Sequence, residues 1–168
     1  LALRTGRLEE ALAHLPASDA GAGRAGHREP LLLRSLIESL SGHPDIALAH
    51  AEQVLDAAVR EGSTATRLVA CTRAGHALAA LGRTDEARSR YEEAVALARR
   101  VGVDRLGAEA LLGKGMVEAG RSAGLASVEE AARLGREAGD IWFEALAALA
   151  AALLDSDAVR TAEARRLA

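Results

Sequence analysis

Few residues of this chain are spaced to do chemistry. The five histidines are His14, His27, His43, His50 and His76. None belongs to a His-Glu-x-x-His pair and no two lie four apart, the spacing by which one helix offers two imidazoles to a zinc ion. Cys71 is the lone cysteine. It excludes an intrachain disulfide and a thiolate cage, and its place at a core position of a helix reads as a buried, inert thiol. Glu92-Glu93 and Glu129-Glu130 are paired carboxylates that recur at the same place in two related segments. A catalytic pair need not repeat, so these read as a solvated helix face rather than an acid and a base. Gly113-Lys114-Gly115 sets a lysine between glycines, as phosphate loops do, but it falls in mid-helix, where packing accounts for the glycines. No Gly-x-Ser-x-Gly elbow is present. The expectation is a chain without metal, cofactor or enzymatic activity.

Composition points to the elements that position these residues. Hydrophobic residues make up 49% of the 168, enough for the core of one domain, yet aromatics are only 2%. The apolar content is mostly Ala and Leu, the strongest apolar helix formers. A sheet would use more Val, Ile, Thr and aromatics. The 21 basic and 24 acidic residues are interspersed, so no basic footprint for nucleic acid exists, and Arg165-Arg166 reads as a solvated helix end. No run approaches the ~18 apolar residues that a membrane span needs. The apolar run from Ala145 to Leu154 suits a buried helix. The opening Leu1-Ala2-Leu3-Arg4 is not a signal peptide and does not begin with Met, so the chain reads as a fragment of a larger, cytoplasmic protein.

The glycines fall in register. Gly42 and Gly82 are 40 residues apart, as are Gly62 and Gly102; Gly82 to Gly120 is 38, and Gly102 to Gly139 is 37. A period near 40 marks a repeat architecture. Tyr91, Ala94, Val95 and Ala98 form a narrow helical stripe that Val128, Ala131, Ala132 and Gly135 match, and such small residues let neighbouring helices approach closely. Gly82 is placed to end a helix in the left-handed conformation. Thr84, Asp104 and Asp140 are placed to cap the helices that follow, Pro44 to open one, and Ser127 with Glu130 to form a capping box. These signals predict helices over 7–15, 29–41, 45–61, 65–81, 85–101, 105–119, 126–138, 141–154 and 157–167. Loops are predicted over Pro16–Gly26 and Arg121–Ala126. Trp142 and Phe143, being adjacent, must face different ways, with one in the core.

The pattern of Cys71, Ala74-Gly75 and Leu78, then Gly82, then Ala87, Tyr91 and Ala94, resembles the tetratricopeptide (TPR) repeat. Leu112-Gly113, Met116 and Gly120 fit the next copy; Gly42, Ala47, Ala51 and Val54 fit an earlier one; Gly6, Ala11 and Leu15 fit the end of another. The resemblance implies an all-α, TPR-like solenoid of stacked antiparallel hairpins, with four to five repeats of 37–40 residues over the whole of 1–168, and Gly75 facing Ala87 within one hairpin. Phrases such as Gly82-Arg-Thr-Asp-Glu-Ala87 resemble the long-repeat arrays of bacterial LuxR/MalT-type transcriptional regulators. That likeness implies a sensor or interaction arm, since the chain has no Gly-x-x-x-x-Gly-Lys-Ser/Thr loop and no basic recognition helix.

The same resemblance implies a concave face lined by first helices: Leu32, Leu36 and Ser39, then Thr72, His76 and Ala79, then Ala110, Lys114 and Val117, with Arg73 adjacent. Members that clamp a peptide carboxylate repeat Lys, Asn and Arg there. This face offers Lys114 and Arg73 and no Asn, so a protein partner presenting an apolar helix or short peptide is expected. The alternative is a small-molecule sensor using that groove, with a polar pocket around His76 and Lys114. Self-association into a homodimer through the apolar C-terminal helices, Ala145 to Leu154, is also expected; nucleic acid and membrane contacts are not.

Overall fold

Glycine conformation sets the helix boundaries. A computed structural model describes residues 7–15, 28–118 and 120–167; the predicted Pro16–Gly26 loop lies outside them. The described residues are all-α, with no strand. They form α1 (Leu8–Ala13), α2 (Arg28–Leu40), α3 (Pro44–Glu61), α4 (Thr64–Ala80), α5 (Thr84–Val101), α6 (Asp104–Val117), α7 (Arg121–Glu137) and α8 (Ile141–Leu167). Gly42, Gly62, Gly82, Gly102 and Gly139 all have φ between +66° and +85°. An L-residue avoids that region because its Cβ crowds the following carbonyl.

In these five linkers the residue after glycine serves two helices. The N–H groups of His43, Ser63, Arg83, Val103 and Asp140 donate to the carbonyl five residues back at 2.9–3.2 Å, closing the preceding helix in a Schellman turn. The carbonyls of the same residues accept from Ala47, Arg67, Ala87, Gly107 and Glu144 at 2.9–3.2 Å, opening the next helix. Connections of two or three residues fold consecutive helices back on each other.

Helix composition completes the pattern. Pro44 opens α3 as expected, and α3 buries Ala47, Leu48, Ala51, Val54, Leu55 and Ala58 on one face. Asp85 and Glu86 lie in the first turn of α5, and Arg99 and Arg100 in its last, each matching the sign of the helix dipole. Tyr91, Ala94, Val95 and Ala98 are buried, as the stripe predicts. In contrast, α4 is buried on most sides, through Leu68, Ala70, Cys71, Thr72, Ala74, Ala77 and Leu78. Gly75 and Ala87 are both buried.

The chain divides into two compact units, Leu1–Arg90 and Tyr91–Ala168, and α5 contributes to each. In the first, α2 packs on α3 and α4, α3 on α4, and α1 on α2. In the second, α6 packs on α7 and α8, and α7 on α8. A first helix therefore touches both its hairpin partner and the first helix of the next hairpin, as in stacked helical repeats. Among the described residues no helix is long and apolar enough to cross a membrane.

Several expectations are corrected. Gly120 is extended, with φ −118° and ψ 127°, and stands as the N-cap of α7. Residues 121–126 are helical instead of a loop, and Ser127, buried in mid-helix, caps nothing. The reason is Gly124, whose place in the helix brings backbone against backbone. A Cβ there would lie 2.7 Å from the Gly115 carbonyl oxygen, and one on Gly115 would lie 2.8 Å from that of Gly124. The predicted helices 141–154 and 157–167 are one helix, α8, because no glycine follows Gly139 to turn the chain. Thr84 and Asp104 are the first residues of their helices rather than caps. Asp140 does cap: its Oδ1 accepts from the Trp142 and Phe143 N–H groups at 3.1 and 3.4 Å.

The dihedrals separate two kinds of glycine in a way that stability measures. Gly82→Ala forces a Cβ into the left-handed region and should lower stability by about 1 kcal/mol. Gly120→Ser places a preferred N-cap in extended backbone and should change it by no more than a few tenths of a kcal/mol, in the stabilising direction. Urea unfolding of the two variants checks both; equal losses would refute the distinction.

Candidate functional site

The residues expected to line a concave face divide between the two units. Leu36 of α2 and Arg73 and His76 of α4 are half-buried in the first unit. Arg73 and His76 are three residues apart and share one face of α4. Leu32 and Thr72 are closed off, at 8% and 2% exposure. Thr72 donates its hydroxyl to the Leu68 carbonyl of its own helix at 3.1 Å, so its polar group is satisfied without a partner. The reason is the burial of α4 on most sides, which turns a position expected at the surface into core. Ser39, also expected on this face, has a buried Oγ with no hydrogen-bond partner. Ala110 is fully buried. Lys114 belongs to the second unit, where its Nζ lies 2.7 Å from Glu118 one turn on, with both side chains mostly buried.

The sequence reading missed an inward carboxylate. Glu38 is 9% exposed, and its Oε2 lies 3.0 Å from Nδ1 of the exposed His43. Its signal is helical register, seven residues after the buried Leu31 on α2. A carboxylate near a helix C-terminus meets the negative end of the dipole, and the His43 contact offsets this. His50 of α3 is half-buried near the same group. Burial and the Arg34 charge hold its pKa below the ordinary imidazole value, while Glu38 pulls the other way. On α2, Ser35 donates its buried hydroxyl to the Ala47 carbonyl at 2.8 Å, fastening α2 to α3.

Two cavities flank these features. In the first unit, a groove of about 700 Å³ runs between α1 and the α2–α3 turn, bordered by Leu8, Glu10, Leu12, Leu40 and His43. In the second, α5, α6 and α7 enclose about 160 Å³ beneath Arg99, Asp104, Glu130 and Arg133, below the ~300 Å³ at which ligand pockets begin. Its charges are paired: Arg99 reaches Glu130 at 3.3 Å, and Arg133 reaches Glu137 at 2.8 Å. At the start of α8, the Arg105 hydrogen bond is the main influence that holds the Asp140 carboxyl below its ordinary value; desolvation opposes it, and the capping N–H groups of Phe143 and Trp142 add to the lowering. Phe143 is core and Trp142 is 69% exposed, as their adjacency required. Cys71 is fully buried. Among the described residues no group of three or more His, Cys, Asp or Glu could hold a metal ion.

No protein-family model matches the chain, and no curated protein matches it.

The environment of His50 fixes a pH dependence. The unfolded chain takes up a proton on this histidine near the ordinary value of about 6.5, before the folded chain does. Stability should therefore fall as pH drops through that value and level off below the folded pKa. Between about pH 8 and about pH 5, the wild type should lose more stability than His50→Asn in chemical denaturation. Parallel pH curves would show that His50 is not shielded from protonation.

Proposed function

We propose that this chain is a protein-interaction module of the tetratricopeptide type, and that it serves as the sensor or interaction arm of a bacterial transcriptional regulator in the cytoplasm. Its partner is a protein or peptide, taken on the face formed by first helices. The observation that carries this reading is the repeated hairpin. The same glycine turn recurs five times, and first helices pack side by side, α2 on α4 and α6 on α8. An array of this kind presents an extended surface built from equivalent positions, which suits a partner that is itself extended. Leu36, Arg73 and His76 give the first-helix face of the first unit an apolar and a cationic component, and the second unit, taken by itself, carries Lys114 on its first helix. The ionisable groups are consistent with binding rather than catalysis, since they are spent on pairs along the helices, such as Arg83 with Glu86 at 2.6 Å and Lys114 with Glu118 at 2.7 Å.

A displayed peptide library selected against the chain tests this reading. Enriched sequences should share an apolar anchor. Arg73→Ala and His76→Ala should each weaken them by about tenfold, or ~1.4 kcal/mol. Val59→Ala, on the exposed side of α3, should leave them unchanged. Failure to enrich any sequence, or enrichment insensitive to Leu36, Arg73 and His76, would remove the first-helix face as the binding surface.

A further inference from the structure

The Schellman turns put α2 and α4 in register. His43 donates to the Glu38 carbonyl and Arg83 to the Leu78 carbonyl, so each residue of α2 corresponds to the one 40 positions on in α4. Between Glu29 and Leu40, Leu31, Leu32, Ser35, Ile37 and Glu38 are buried, and so is every counterpart in α4. Glu29, Leu33, Leu36 and Leu40 are open to solvent in part or in full, and so are their counterparts Val69, Arg73, His76 and Ala80. Spacings of three and four residues put each set of four on one helix face. Because α2 packs on α4 within one unit, the two faces lie side by side. The open rows are centred one residue on from the expected Leu32 and Thr72, and they take in Leu33 and Arg73 instead.

The two rows differ in chemistry. The α2 row is leucine: Leu33 and Leu40 are 37% and 59% exposed, with the half-buried Leu36 between them. The α4 row has Arg73 and His76 at its centre. Both charged side chains of α4 other than histidine are arginines, Arg67 and Arg73, and the helix contains no Asp or Glu. Of the carboxylates of α2, Glu38 is buried against His43, which leaves Glu29 at the far end of its row. The opposite sign collects on the second helix: α3 carries Asp45, Glu52, Asp56 and Glu61 against Arg60. Charge is thus segregated between first and second helices of this unit, and the face that α2 and α4 share favours an anionic partner.

We infer that this face takes an amphipathic acidic helix of a partner protein, with its apolar side chains on the α2 row and its carboxylates over Arg73 and His76. The inference rests on the first-helix face being the binding surface, and it names the chemistry of the partner. Spacing selects a helix. Leu33, Leu36 and Leu40 stand about 4.5 and about 6 Å apart along α2, at ~1.5 Å per residue. A helix laid alongside offers side chains at i, i+3 and i+7 with the same steps, whereas an extended strand repeats one face every ~7 Å. Charge selects the acidic sign. The Arg73 guanidinium has the fork that pairs a carboxylate through two hydrogen bonds, and a basic partner would meet it with no carboxylate on α4 in compensation. The leucine row supplies the apolar anchor, and the α4 row discriminates by sign.

Fluorescence anisotropy of labelled synthetic helices titrated with the full chain tests the inference. One probe carries Leu at i, i+3 and i+7 flanked by Glu. A second exchanges every Glu for Lys, and a third keeps Glu and exchanges Leu for Ser. The first should bind about tenfold or more tightly than either of the others, and its affinity should fall as salt rises. Arg73→Glu should weaken the Glu probe by about tenfold and strengthen the Lys probe, an inversion that loss of fold cannot produce. Leu33→Ser should weaken both probes, and Val59→Glu, exposed on α3, should leave the Glu probe bound as before. Circular dichroism checks the fold of each variant; should Arg73→Glu unfold, Arg73→Gln takes its place and should narrow the gap between the Glu and Lys probes. Equal affinity for those two probes, or binding indifferent to Arg73 and Leu33, would overturn the inference. So would failure of all three probes to bind, although selected peptides of another chemistry that depend on Leu36 and His76 would then leave the first-helix reading standing.

Discussion

The architecture rests on one backbone conformation. A glycine in the left-handed region lets the next residue donate its N–H to one helix and lend its carbonyl to the following one. That shared residue leaves no slack between helices, so each must fold back on its predecessor, and the apolar stripe of one is delivered to the stripe of the other. The consequence is a spacing of 20 residues from Gly42 to Gly62, to Gly82 and to Gly102. Where the device is altered, the structure departs from the pattern. Gly120 is extended, and α6 gives way to α7 without a Schellman turn. Beyond Gly139 no glycine remains, and α8 continues for 27 residues.

Tight turns demand thin contacts. Helices joined by two or three residues can lie close only where side chains are small, and the second unit shows this at several levels. Gly107 lies on the Ala98 methyl, where a Cβ would come within 3.1 Å, and Gly115 and Gly124 meet backbone to backbone. Gly113 makes room for the Tyr91 ring, which would lie 2.5 Å from an added Cβ. Tyr91 is one of the largest fully buried side chains, and it is accommodated because the facing helix has nothing there. The scarcity of aromatics and the abundance of Ala and Gly are thus two results of the same geometric demand.

What the sequence makes legible follows from how local each signal is. The five left-handed glycines, the Pro44 start, the Asp140 cap and the Tyr91 stripe depend on residues within one turn of each other, and the sequence reading places them. Gly124 breaks that rule. By local propensity it belongs to a loop, but its helical position is determined by Gly115 on another helix, which no short-range pattern encodes. The same holds for Thr72 and Leu32, whose closure comes from neighbours packed around α2 and α4. Glu38 shows the opposite case: its helical register was readable, but a charged residue on an apolar face is easily assigned to solvent when its histidine partner stands five residues away, across a turn.

The distribution of apolar surface follows from the turn. A first helix in this array has two flanks to cover, one facing the preceding second helix and one facing its own. In α4 the helix is buried on most sides, to the point that even a threonine is sealed and must satisfy its hydroxyl internally. For α8 the flank toward α7 is closed by Phe143, Ala147 and Ala150, while the other carries Trp142, Leu149 and Leu153 into solvent. An inner helix such as α4 thus has most of its apolar residues enclosed, whereas in α8 the packing described closes only the flank toward α7.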